Sequence, residues 1–335
     1  MILAAVVALM GDAHPAAAHG TAGQAPVDYE TRVESIEPTD GAMIDGIRAR
    51  TTDLGEHVEV TSSRREIIVL GYNGEPYLRV GPDGVWRNER SPATFLNRSV
   101  VADDPVPAEF DPNAAPDWAR ISASSTARWH DHRLHPAGRG PLTNWRVTFT
   151  VNGRRAAIVG TTTLLSPPAT LSAIALVVGF ALTAWLALRR GSRTGFAVTS
   201  TALVAGAAAL TIARWTASTE PMRTRIAVAW PIVLVVLVVI ACFRVRRGIE
   251  EASPWFVFGF AAIAIAFGFA LLPWLTHAQV PATGPTLAWR VVVAGALGAG
   301  STGVVCAARR LRIRNADGSA SQTESEASAA IRRSR

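Results

Sequence analysis

Histidine is the residue type in this chain whose placement could do chemistry. Seven are present, and three stand together in WHDHRLH, at His130, His132 and His135. In an extended strand successive side chains alternate, so His130 and His132 share one face while Trp129 and Asp131 take the other. Two imidazoles placed in that way can converge on one metal ion at ~2.0 Å. The same segment also reads as a polar surface strand, with Asp131 and the nearby arginines satisfying the imidazoles and histidine merely titrating. Only the metal reading demands that the ring nitrogens meet.

A further donor depends on processing. The chain opens MILAAVVALMGDAHPAAAHG, in which the apolar run Ile2–Met10 is shorter than the ~20 residues a membrane span needs. Ala16-Ala17-Ala18 then supplies an A-x-A cleavage site, which predicts a signal peptide over residues 1–18. An uncleaved anchor is the alternative. Cleavage after Ala18 makes His19 the new amino terminus, whose α-amino group and Nδ1 chelate one ion together; cleavage after Ala13 leaves His14 there instead. Amine and imidazole nitrogens suit copper, which heads the divalent affinity order. The expected site is therefore copper on His19, His130 and His132. In its type of spacing, an N-terminal His with an internal H-x-H, it resembles the copper domain of the B subunit of particulate methane monooxygenase.

Other chemistry is thin. The chain has no G-x-S-x-G, no H-E-x-x-H and no phosphate-binding or dinucleotide-binding glycine pattern. Asp103 and Asp104 are adjacent, so in extended chain they face apart and make no acid/base pair. The two cysteines, Cys242 and Cys306, both lie in the apolar half. An exported domain built from the first half thus has no disulfide and rests on its core.

The elements that would carry the histidines read as strands. Glu66–Tyr72 and Tyr77–Val80 flank Asn73-Gly74, and Gly81-Pro82-Asp83-Gly84 makes a second turn before Val85–Asn88. Asn144–Val151 and Arg154–Leu165 flank Asn152-Gly153, a pair that favours the two positive φ angles of a type I′ hairpin turn. Short strands at ~8–12-residue spacing predict an all-β sandwich across residues 19–168. Ala102–Pro116, rich in Pro and Asp, reads as a long loop. The run VLGYNGEPYLRVGPDGVWRNERSPATFLN (Val69–Asn97), followed by WHDHRLH, resembles a group of actinobacterial polytopic membrane proteins with an exported N-terminal domain. That resemblance implies an architecture and no mechanism.

Beyond Pro168 the composition changes. Ala169–Leu188, Gly195–Ala213, Ile226–Phe243, Pro254–Leu275 and Trp289–Ala308 are apolar, and each is about long enough to span a bilayer as a helix. The expected fold is thus two-part, a β-sandwich and then an all-α transmembrane bundle of about five helices over residues 169–308. Residues 309–335 read as a basic, disordered tail.

Arginines set the orientation. Arg189, Arg190, Arg193, Arg244, Arg246, Arg247, Arg309, Arg310, Arg312 and Arg314 fall on one side, against Arg214, Arg223, Arg225 and Arg290 on the other. The richer side is cytoplasmic by the positive-inside rule, which puts the β-domain outside a multi-pass membrane protein. The net charge of +7 is concentrated beside the helices, a distribution that orients spans and does not grip nucleic acid. No ionisable group interrupts the middle of a segment, so the bundle reads as an anchor or docking element. Gly295, Ala299 and Gly303, four apart, read as a packing face. Two functions follow: an outer domain that binds a metal, or an interaction component whose β-domain docks another envelope protein.

Overall fold

The computed structural model describes residues 25–38, 45–98, 105–135, 141–189, 193–217 and 254–333. The signal segment, His14, His19, the apolar segment Ile226–Phe243 and Cys242 lie outside them. Near Ser166 the chain divides into two compact units, one built of strands and one of helices.

In the first unit, ten strands form two antiparallel sheets. The larger has the order β1(Tyr29–Pro38), β10(Arg154–Leu164), β9(Leu142–Val151), β4(Ile67–Leu70), β5(Pro76–Gly81), β6(Gly84–Asn88) and β7(Trp118–Ser122); the smaller is β2(Ile47–Thr52), β3(His57–Ser62) and β8(Thr126–His130). Alternation in the sequence decides which faces meet. Trp145, Val147, Phe149 and Val151 of β9 are buried, as are Val58 and Val60 of β3 and Trp129 of β8, and all belong to one apolar core with Ile67, Val69, Leu78 and Val80. The two sheets therefore face each other across shared side chains, as in a sandwich.

The hairpins follow the local chemistry. Asn152 and Gly153 have φ of 50° and 75°, a pair of left-handed residues joining β9 to β10 in direct register from Arg154 opposite Val151. Pro82-Asp83 closes β5 onto β6, with Gly81 opposite Gly84. The Asn73-Gly74 connection is longer than a two-residue turn, since β4 and β5 last pair at Leu70 and Pro76, and Glu75 closes it by accepting the Asn73 amide at 2.9 Å. A short helix, α1(Pro92–Leu96), is capped by Ser91 and starts on Pro92, a position where the missing N–H costs nothing. Residues 105–117 are turns and coil.

The second unit holds α2(Thr170–Arg189), α3(Arg193–Ala217), α4(Pro254–Ala270) and α5(Thr286–Arg333). Among the described residues, one helical stretch, Thr286–Arg309, is long and apolar enough to cross a membrane; Thr170–Leu186, Thr201–Ala217 and Val257–Ala270 are shorter apolar helices. The expected segment Pro254–Leu275 is not one helix. It ends at Ala270 and gives way to a 3-10 turn, Leu272–Leu275, because Pro273 has no N–H to continue an α-helical ladder. The sequence predicts a disordered tail over residues 309–335. There α5 runs on to Arg333, through a stretch rich in Ala, Arg and Ser with no proline to stop it.

Small residues let α5 approach its neighbours. A Cβ at Gly298 would lie 2.4 Å from the Val177 carbonyl of α2, and one at Gly300 would lie 3.1 Å from the Ala261 carbonyl of α4. Thr302 donates to the Ala181 carbonyl at 3.0 Å. Gly295 lies nearest Leu203 and Phe180 while Gly303 lies nearest Ala261, so the four-residue spacing does not face a single partner.

Candidate metal centre

The centre begins with a strand pair. His57 of β3 stands directly opposite His130 of β8. Alternation sends Trp129 into the core and His130 to the other face of the small sheet, yet His130 is buried. Its cover comes from the chain immediately after it. Asp131 ends the strand and caps a 3-10 turn, His132–Leu134, by accepting the Arg133 amide. Leu134 is fully buried, and its carbonyl accepts Thr162 Oγ1–H at 2.6 Å. That anchor folds the turn back over the sheet. The His130 ring consequently lies 4.7 Å from His132 and 4.8 Å from His135, centroid to centroid.

Glu56 arrives from the β2–β3 connection. Its backbone carbonyl accepts a hydrogen bond from His130 Nδ1 at 2.9 Å. Its Oε2 lies 3.6 Å from His130 Nδ1 and 3.9 Å from His135 Nε2. The other oxygen, Oε1, accepts from the Tyr29 hydroxyl at 3.0 Å, and that hydroxyl is 3.3 Å from His135 Nδ1. Glu56, His130 and His135 each present a ligand atom within 4.8 Å of the others, a group that could hold a metal ion.

The hydrogen-bond roles fix the tautomers. A carbonyl oxygen only accepts, so His130 Nδ1 carries the proton and Nε2 the lone pair. Tyr29 has a single proton to give; with that on Glu56, its oxygen accepts from His135 Nδ1–H and leaves the lone pair on His135 Nε2. Both Nε2 atoms are buried and have no hydrogen-bond partner among the described residues. An unsatisfied buried polar atom costs about 1–3 kcal/mol, and two of them on histidines grouped with a carboxylate match the donor types of a metal site. The backbone carbonyl and the tyrosine occupy the outer positions that commonly orient ligating histidines.

Electrostatics keep the imidazoles neutral. Burial, reinforced by repulsion from His135 and His132, pushes His130 down to about 4. Burial likewise lowers His135, although the Glu56 charge opposes it. Burial, then the Glu56 carboxylate, holds the Tyr29 phenol protonated far above its usual range. Metal ligation needs free lone pairs, and these groups have them at neutral pH.

Behind the turn lies a separate ionic network. Asp131 accepts Trp129 Nε1–H at 2.8 Å and is bound by Arg133 through Nε at 2.8 Å and Nη2 at 2.7 Å. It therefore satisfies an arginine and the core tryptophan, not the imidazoles.

Of the sequence-derived ligands, His130 stands in the group. His132 has its ring beside it, but Nε2 is engaged with the Leu96 carbonyl at 3.0 Å, so His132 is not one of the three grouped donors. His19 lies outside the described residues. Reasoning from sequence did not select Glu56, His135 as a ligand, or Tyr29. The spacing of His135 carried a usable signal, since one helical turn after His132 also returns it to the cluster. Glu56 and Tyr29 carried none, being brought in by strand pairing from far along the chain. Compared with protein-family models, curated proteins and solved structures, the chain matches none.

Proposed function

We propose that the β-domain binds a divalent transition-metal ion through His130, His135 and Glu56, copper(II) most tightly, and that the helical unit anchors it at the outer face of the cell membrane. The observation that carries the reading is the grouping of His130, His135 and Glu56, whose ligand atoms lie within 4.8 Å of one another, together with the buried Nε2 atoms of both histidines, which have no hydrogen-bond partner among the described residues. Ligand atoms 2.0–2.1 Å from one ion stand about 3.3 Å apart in tetrahedral geometry. Glu56 Oε2 is 3.9 Å from His135 Nε2, so closure asks for a shift on the order of 1 Å from a side chain that is partly solvent-exposed. Two imidazoles and a carboxylate suit copper, zinc and iron alike, and copper(II) stands above zinc in the affinity order. His132, and His19 once processing makes it the amino terminus, are the further donors available to copper.

The full-length protein in detergent, correctly processed and stripped of metal, tests this by chelator competition with copper(II) and with zinc(II). Copper is expected to bind at one equivalent and more tightly than zinc. His130→Ala/His135→Ala is expected to weaken it by at least ~100-fold, about 2.7 kcal/mol. Binding unchanged in the double variant, or none in the wild type, sinks the reading.

The membrane orientation rests on the arginine asymmetry and on the apolar stretch Thr286–Arg309. A reporter fused after Arg314 is expected to be active on the cytoplasmic side; activity confined to the outer side reverses the topology.

A further inference from the structure

The connection that delivers Glu56 is bent in an unusual way. Thr52 pairs with His57, and between them Asp53, Leu54 and Gly55 have φ of 56°, 55° and 91°. Three consecutive left-handed residues are rare, and only the glycine adopts that conformation without steric cost. Leu54 is partly buried and does not belong to the apolar core that would offset this strain. Strain of this kind persists where the surroundings over-determine it, and it clusters at functional sites.

The surroundings here are specific. The Asp53 carboxylate, 1% exposed, is paired with Arg128 on β8, and Oδ2 lies 3.1 Å from His57 Nδ1. Thr52 Oγ1 donates to the same oxygen at 3.3 Å. Gly55 is pressed against β1, where an added Cβ would stand 2.6 Å from Thr31 Cβ. The Glu56 amide donates to the Asp53 carbonyl at 3.1 Å. The outcome is that Glu56 turns both its carbonyl and its carboxylate toward His130.

We propose that the left-handed turn Asp53–Gly55, latched by Asp53 to Arg128, positions Glu56 for the metal ion, so that Asp53 and Leu54 set metal affinity without touching the metal. This rests on the metal reading above. A connection whose only task was to join β2 to β3 has no need of two strained non-glycine residues, because ordinary short hairpin loops need fewer left-handed positions. The latch and the ligand belong to the same short connection, so a loosened turn moves the carboxylate directly.

The test is copper(II) affinity of the full-length protein by chelator competition, with the copper(II) paramagnetic resonance spectrum and the thermal midpoint measured on the same samples. Leu54→Gly removes the steric cost and keeps the Asp53 latch; it is expected to leave the midpoint unchanged or higher while affinity falls ~3–10-fold. Asp53→Ala is expected to lose ~10–100-fold, the range seen when outer-shell partners of ligands are removed, with a shifted spectrum. Asp53→Asn, which keeps an acceptor for Arg128, is expected to recover part of that loss. Should Asp53→Ala fail to fold, Leu54→Gly and Asp53→Asn still decide the matter. Wild-type affinity and spectrum in both of them, whatever their midpoints, make the turn a mere connection and overturn the proposal. No copper binding by the wild type in the same titration removes the metal reading itself, and this proposal with it.

Discussion

Replacing Asp131 with alanine is expected to lower the stability of the β-domain by about 3–5 kcal/mol, the cost of leaving one half of a buried ion pair behind. Asp131 is fully buried and accepts from Trp129 Nε1–H, from Nε and Nη2 of Arg133, from the Arg133 backbone amide and, at 3.5 Å, from the Tyr72 hydroxyl. Among the described residues, the guanidinium without it keeps long contacts to the Leu70 carbonyl, at 3.3 and 3.4 Å, and its place over the Tyr72 ring. The indole N–H, deep in the core, then has no acceptor left among the described residues. Asp131→Asn keeps the shape and one acceptor but not the charge, so it should cost less than alanine. A domain total of about 5–15 kcal/mol makes the alanine loss a large fraction of stability.

The pH dependence of that pair has a definite sign. Burial works against the Asp131 charge, but the hydrogen bonds and charge of Arg133, with Trp129, outweigh it and hold the carboxyl below its ordinary value of 3.8. A depressed folded-state value means that the stabilisation is complete above that ordinary value and drains away as pH falls below it. Thermal unfolding followed by tryptophan fluorescence at several pH values checks both points. The wild type should lose stability steeply below about pH 4, whereas Asp131→Ala should start low and lose less. Equal midpoints for the two proteins at pH 7 would contradict the assignment.

What the sequence could and could not reveal divides along physical lines. Asn152-Gly153 names its own turn because Asn-Gly is among the few dipeptides that readily adopt two left-handed residues, and the alternation of Trp145, Val147, Phe149 and Val151 names the buried face of β9. The same alternation separates Trp129 from His130, but His132 lies past the end of β8, and the 3-10 turn, not the strand, brings its ring to 4.7 Å from that of His130. The strand does not extend to Arg133, however, because Asp131 caps a 3-10 turn as soon as its side chain turns inward. That turn is what adds His135. Glu56 is written in a stretch with no chemical signature, and only the β3–β8 register carries it across to His130. Tyr29 comes from farther still, on the edge strand β1. Long-range pairing of this kind leaves no local trace. In the helical unit hydropathy marks apolar segments well, but hydropathy does not see that Pro273 breaks one of them.

Gly160→Ala is the second substitution with a large expected effect, about 3 kcal/mol, at the upper end of the range for overpacking. Gly160 lies mid-strand in β10, paired with Trp145 on one side and Val33 on the other. A single added Cβ would stand 2.1 Å from Trp145 Cζ2 and 2.2 Å from the backbone carbonyl oxygen of Arg32. The two clashes are unequal in kind. A ring can tilt, although Trp145 is 3% exposed and packed in the core, so tilting disturbs its neighbours. The Arg32 carbonyl cannot move without shifting β1, whose pairing is already bulged between Val33 and Ser35. The backbone term should therefore dominate. Gly160→Ala/Trp145→Phe separates them: it relieves part of the ring contact and leaves the carbonyl contact intact, so it should not restore wild-type stability. Since Tyr29 sits just before Arg32 on the same strand, a displaced β1 also withdraws the hydroxyl from Glu56 and His135. The thermal midpoint should drop by roughly 10 °C, and copper(II) affinity should weaken along with it. A change of less than about 0.5 kcal/mol, the range of ordinary surface substitutions, would show that β1 yields freely at this point and that Gly160 is not needed there.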